Sequence, residues 1–276
     1  MMLVDAHQHF WRLADRNGAW PPPDLAAIYR DFFPADLAPL LARHGVAKTV
    51  LVQSMPNEDD TRFMLGLARA HPFICAVVGW ADLKAPDAPA RIAALAADPL
   101  LKGLRPMLQD LDDDDWIADP ALAPAVLAML RHGLGFDALV LPRHLPALHV
   151  FAARHPDLPI VIDHGAKPPI AEGTLEPWRG DIARLAALPN VHCKLSGLVT
   201  EAGGDWDVDR LRPYVGHLLD CFGPGRLIWG SDWPVLDLAA DYARWLAACA
   251  SLLGGLPDAD RRAVFGLNAR RFYRID

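Results

Sequence analysis

The sequence predicts a single α/β domain, a (β/α)₈ barrel of the TIM type spanning residues 1–276. Three observations predict it. Eight short apolar runs recur along the 276 residues, each followed by a helical pattern. Several runs are apolar at nearly every position, as strands buried on both faces are. The composition does not break anywhere in a way that demands a second domain. Alternation of strand and helix favours a parallel sheet, and eight repeats favour a closed barrel over an open one. No G-x-G-x-x-G follows the first strand, which counts against dinucleotide binding.

The first strand leads into Val4-Asp5-Ala6-His7-Gln8-His9-Phe10-Trp11. Residues two apart on a strand share a face, so His7 and His9 are expected to aim both rings into one space. A Trp- and Pro-rich segment from Trp11 to Pro34 follows, and its prolines forbid one regular helix. As a long loop over the barrel mouth it would wall a pocket, or its aromatics would simply pin the loop. A helix is expected over Pro34–His44, ending at Gly45, and a second strand over Thr49–Ser54. The next elements are a helix near Thr61–Ala70, a strand at Phe73–Trp80, a helix at Pro89–Ala97 and a strand at Leu101–Arg105. Asp112–Asp115 reads as a solvated loop.

In the second half, helix Pro120–His132 precedes strand Gly135–Val140, and helix Leu145–His155 precedes strand Pro159–His164. Helix Trp178–Ala187 precedes strand Val191–Ser196, and helix Leu211–Phe222 precedes strand Arg226–Asp232. Helices over Asp241–Leu253 and Asp258–Tyr273 close the chain.

The formal charge is −7, and the 27 basic residues are scattered, so neither nucleic acid nor membrane is an expected partner. No run reaches the length of a membrane span and no secretory signal opens the chain. The four cysteines, Cys75, Cys193, Cys221 and Cys249, form no C-x-x-C pair. They read as reduced, buried thiols of a cytoplasmic protein. The residues leave the oligomeric state open.

Barrels do chemistry at the C-terminal ends of their strands. Strand eight closes on strand one, so Asp232, in Gly230-Ser231-Asp232-Trp233-Pro234, is expected beside His7 and His9. His164 ends strand six and joins them. The blander reading of Asp232 is a helix N-cap. His44, His71, His132 and His155 fall at helix ends and need no further role. Three histidines and an aspartate suit one zinc ion, with His7, His9, His164 and Asp232 as ligands. They equally suit a metal-free site in which Asp232 takes a proton from water and the imidazoles polarise a carbonyl. Strands four and five end without further ligands, and Lys102 lies early in strand four, so a two-metal site lacks residues. Gln53, Trp80, Arg105, Lys167 and Lys194 are the expected substrate-binding residues: polar donors and an aromatic wall for an oxygen-rich small molecule. Arg105 has a structural ion pair as its blander reading, and Lys194 an outward orientation.

The chain resembles the amidohydrolase superfamily, and within it amidohydrolase family 2. The resemblance is carried by Asp5-Ala6-His7-Gln8-His9-Phe10-Trp11, Asp163-His164-Gly165-Ala166-Lys167-Pro168, Lys194-Leu195-Ser196-Gly197, Gly230-Ser231-Asp232-Trp233-Pro234 and Asn268-Ala269-Arg270-Arg271-Phe272-Tyr273. It is most similar to the branch of sugar-acid lactonases and 2-pyrone-4,6-dicarboxylate lactonase. That resemblance implies a barrel that opens the ring of a small-molecule lactone, an aldonolactone such as L-fuconolactone. It implies Asp232 as the residue deprotonating water, His7, His9 and His164 around the carbonyl, and Arg105 and Lys167 on substrate oxygens. It also implies that no metal is obligatory. The alternative is a single-zinc decarboxylase or metal-dependent hydrolase of the same family.

Overall fold

The computed structural model describes residues 2–275. Eight parallel strands lie in sequential order. They are β1 (Leu3–Gln8), β2 (Val46–Val52), β3 (Ile74–Gly79), β4 (Leu101–Leu104), β5 (Gly135–Ala138), β6 (Ile160–Ile162), β7 (Val191–Leu195) and β8 (Leu227–Trp229). The expected barrel is present. The seam between β8 and β1 is closed just beyond the strand ends, by a parallel bridge between Gln8 and Trp233. There Asp232 N–H donates to His7 O at 2.7 Å and His9 N–H to Trp233 O at 2.8 Å.

Ten α-helices accompany the strands among the described residues. They are α1 (Pro34–His44), α2 (Glu58–Ala70), α3 (Ala88–Leu95), α4 (Ala123–Arg131), α5 (Leu145–Arg154), α6 (Trp178–Ala186), α7 (Val208–Phe222), α8 (Tyr242–Leu252), α9 (Asp258–Arg262) and α10 (Asn268–Tyr273). Side-chain oxygens start several of them: Asn57, Asp207 and Asp241 accept from Asp60, Arg210 and Arg244 N–H. His44, His71, His132 and His155 do sit at the C-terminal ends of α1, α2, α4 and α5.

Two apolar layers follow from strand alternation. Residues such as Leu51, Val77, Phe136, Ile160, Cys193 and Trp229 face the helices in one large core. Val4, Ala6, Val50, Val52, Ala76, Val78, Val161 and Ile228 form a second, smaller core, which Ala269, Phe272, Tyr273 and Ile275 of the C-terminal segment join. That segment plugs the barrel opposite the mouth. The expected single helix over Asp258–Tyr273 is broken by a π-helical turn at Ala263–Leu267. Past that turn, Asn268 Nδ2 donates to the carbonyls of Pro224 and Leu227, both at 2.7 Å, tying α10 to β8.

Most strands are shorter than the sequence predicts, among them β5, β6 and β8. β5 ends at Ala138, β6 at Ile162 and β8 at Trp229, because the residues beyond leave extended geometry to form the site. The Trp- and Pro-rich segment fulfils both of its readings. Trp11 and Phe32 pair through their backbones and are buried, with ring centroids 5.2 Å apart, while Trp20 edges the mouth.

His192 lies on β7 with its ring against Phe272, centroids 5.1 Å apart. Burial, and then the Arg226 cation, push its pKa from 6.5 down to about 4. Between those values the unfolded chain binds a proton that the folded chain refuses, so this residue costs stability as pH falls from about 6.5 to about 4. His192→Gln should therefore lessen the loss of stability between pH 7 and pH 4.5 by on the order of 2 kcal/mol. Urea unfolding of both proteins at the two pH values measures it; an unchanged loss refutes the assignment.

Candidate active site

The mouth holds a cavity of about 430 Å³, lined among others by His9, Arg105, His164 and Asp232. Lys167, Thr200 and Glu201 also line it, and Met107, Leu139, Val235, Leu238 and Trp20 supply apolar surface.

β1 carries one extra residue against β2 between Asp5 and Gln8. Regular alternation would put Asp5 and His7 on one face. Instead Asp5 is bonded to Ser231 and to Tyr242 of α8, while His7 lies among Arg105, Asp163 and Lys194. The irregularity brings His7 Nε2 within 3.2 Å of His9 Nε2. Asp232 Oδ1 meets them at 3.6 and 3.2 Å, and His164 Nε2 at 3.8 Å. The four predicted residues thus converge on one point.

The backbone makes this convergence by leaving ordinary conformations. Asp232 has φ +62°. His164, Gly165, Ala166 and Lys167 are all left-handed, with φ between 48° and 63°. Such residues cost about 1 kcal/mol or more each where a Cβ is present and cluster at functional sites. Trp178 Nε1–H donating to Gly165 O at 2.7 Å holds the turn. Gly230 makes room for the seam: a Cβ there would stand 2.7 Å from His7 Cβ.

All four side chains are nearly or fully buried. Burial is the largest influence on each imidazole and disfavours its cation: His7 falls well below its usual value, His9 falls, and His164 falls to about 4. For Asp232 burial acts the opposite way, but the surrounding His164, His9 and His7 outweigh it and hold the carboxyl well below the usual range. Near neutral pH the site is one carboxylate among uncharged imidazoles.

Three expected substrate-binding residues stand elsewhere. Lys194 is not at the rim. Alternation on β7 turns it into the barrel beneath His7, fully buried, with Nζ 2.6 Å from Asp137 Oδ2 and 2.9 Å from Asp163 Oδ1. Gln53 is also fully buried. Its Nε2 donates to Arg105 O at 2.7 Å and its own carbonyl accepts from Arg105 Nη2, so it braces Arg105 rather than facing the cavity. Trp80 does not line the cavity either; its backbone N–H and C=O are both bonded to Thr61 Oγ1 of α2. Arg105 lines the cavity and also pairs with Asp163 at 3.2 Å. Lys167 lines it 3.9 Å from Glu201.

The sequence reading missed Asp137, Asp163, Ser196 and Glu201. An aspartate inside an apolar strand, as in Gly135-Phe136-Asp137-Ala138, was the available signal for the first. Ser196 Oγ lies 2.9 Å from His164 Nδ1. Burial raises the pKa of Glu201, which faces the cavity.

The same ligand atoms suit a metal. His7, His9 and Asp232 form one possible set, and His7, Asp163 and His164 another. The edge of a tetrahedron around zinc with ligands at ~2.05 Å is about 3.3 Å, close to the 3.2, 3.2 and 3.6 Å separations of the first set.

Fold and site together define a barrel hydrolase with three histidines and one aspartate gathered at its mouth. The chain belongs to the amidohydrolase family: residues 4–275 match the family 2 amidohydrolase model. It is 61% identical to an L-fucono-1,5-lactonase of Burkholderia ambifaria, over 99% of this chain and 96% of that protein. It is 38% identical to an L-fucono-1,5-lactonase of Burkholderia multivorans, over 99% and 96%. A crystal structure of an amidohydrolase from Burkholderia multivorans with bound Zn superposes over 100% of both chains, with TM-score 0.93 and 38% identity.

Gly197, at φ +61°, lies where a Cβ would come within 2.4 Å of His164 Nδ1. Gly197→Ala is expected to displace the His164 ring and lower kcat by about 10²-fold, as misplacement near 1 Å does. Steady-state kinetics with circular dichroism to confirm folding tests this; wild-type kcat refutes it.

Proposed function

We propose that this chain hydrolyses the lactone of a sugar acid, of the L-fucono-1,5-lactone type. The observation that carries the reading is the convergence of Asp232 with three imidazoles beside a cavity whose walls are part polar, part apolar. Pure binding of a sugar acid needs no such base. The identity to L-fucono-1,5-lactonases supports the substrate class.

In this reading Asp232 takes a proton from water, and the hydroxide adds to the lactone carbonyl. Imidazole N–H groups, with Lys167, stabilise the oxyanion. The tetrahedral intermediate collapses, the ring C–O bond breaks, and Asp232 returns its proton to the departing ring oxygen. Arg105 and Lys167 orient substrate oxygens, and Glu201 accepts from a hydroxyl. Lys167 and Glu201 therefore suit a polyol ring better than a flat aromatic acid. A zinc ion, when bound, would be held by His7, His9 and Asp232 and would supply Lewis-acid polarisation of the carbonyl.

Asp232→Asn is expected to lower kcat about 10²–10⁴-fold with KM little changed; full activity removes Asp232 from the base role. The panel to run is a set of aldonolactones plus 2-pyrone-4,6-dicarboxylate, followed by pH indicator with and without a chelator. Acid release from the sugar lactones that survives chelation is the expected result. Activity lost to chelator and restored by zinc would make the histidines and Asp232 ligands rather than acid–base groups. No release from any lactone overturns the reading.

A further inference from the structure

We infer that Lys194 is a positioning residue that sets the tautomer of His7: it holds the proton on Nε2, facing His9 and Asp232, so that a metal ion has to displace that proton to bind His7. The proposal rests on the lactonase reading only for where the reacting centre lies.

Lys194 Nζ stands 3.1 Å from His7 Nδ1. An ammonium only donates, so Nδ1 must present its lone pair; a neutral imidazole has one N–H, which then sits on Nε2. His9 gives the same answer from the other side. Its Nδ1 is 2.7 Å from Val52 O, a pure acceptor, so Nδ1 carries the proton and Nε2 is bare. That bare Nε2 faces His7 Nε2 at 3.2 Å, where it accepts, while Asp232 Oδ1, also 3.2 Å away, competes for a proton there.

At His7 itself two contacts favour the opposite tautomer, and both are longer than the one to Lys194. Asp163 Oδ1 is 3.5 Å from His7 Nδ1, and Arg105 Nη1 is 3.4 Å from His7 Nε2. Asp163 Oδ1 accepts no well-aligned hydrogen bond, although Lys194 Nζ lies 2.9 Å away. It is an acceptor waiting for a proton on Nδ1. Without the ammonium, Nδ1–H would turn to Asp163 and leave Nε2 free to ligate, the carboxylate–histidine arrangement that supports metal ligands elsewhere. Lys194 thus decides whether His7 presents a proton or a lone pair to His9 and Asp232. Its own place is secured by Asp137, whose Oδ2 also accepts from Tyr273 of the C-terminal plug at 2.6 Å.

The test begins with metal-free, ¹⁵N-labelled wild-type enzyme and a long-range ¹H–¹⁵N correlation of its histidines. The expected spectrum shows His7 protonated at Nε2 and bare at Nδ1; the reverse overturns the proposal. The second arm replaces Lys194→Met together with Asp137→Asn, so that Asp137 is not left as a lone buried carboxylate. The His7 proton should move to Nδ1, and zinc affinity, read by competition with a coloured chelator, should rise about tenfold or more. An unchanged tautomer and affinity in a folded double variant overturns it. Where that variant does not fold, the wild-type spectrum decides. A wild-type chain that opens no lactone would sink the functional reading and leave the tautomer result standing.

Discussion

The seam between β8 and β1 is the constraint on which the site depends. Asp232 N–H donates to His7 O at 2.7 Å, so Asp232 and the histidine pair are neighbours through backbone, not through flexible side chains. Asp5 secures the seam from the helical side by accepting from Ser231 N–H and Oγ–H and from Tyr242. Burial pushes the Asp5 carboxyl up to about 6 against those donors, so it holds its place by saturating its hydrogen bonds. Closing the sheet at this point thus sets the distance between Asp232 and His7.

Beneath the mouth lies a second constraint. Asp137, Asp163, Lys194 and Arg105 are nearly or wholly buried and neutralise one another inside the barrel. For Asp163 burial would raise the pKa, but Lys194, then His7 and Arg105, hold it well below the usual range. A buried ion cluster of this kind is poor evidence of stability, because desolvation offsets much of the attraction. Its better-supported role here is to orient His7 and Arg105 from below. An apolar replacement would pack as well and orient neither.

Much of the fold was legible in the residues themselves. Val50-Leu51-Val52 and Ile160-Val161-Ile162 are apolar at every position because one face meets the barrel interior and the other the helices. His7, His9, His164 and Asp232 were legible for a related reason: polar residues that end apolar strands of a barrel arrive at its mouth. Lys194 and Gln53 were misplaced because a polar residue near a strand end reads the same whether it points to the cavity, into the barrel or along the sheet. A shift of one residue in the strand end exchanges those destinations.

The sequence by itself determined the barrel, its eight-fold alternation and the four residues that meet at its mouth, because periodicity and strand-end position are local properties. Tertiary structure alone decided the extra residue in β1 that turns His7 inward, the left-handed turn from His164 to Lys167, and the pairing of Lys194 with Asp137, Asp163 and His7. Each of these is settled by which partner a buried polar group finds across the barrel. Lys194 and His7 are 187 residues apart in the chain, and no local pattern joins them.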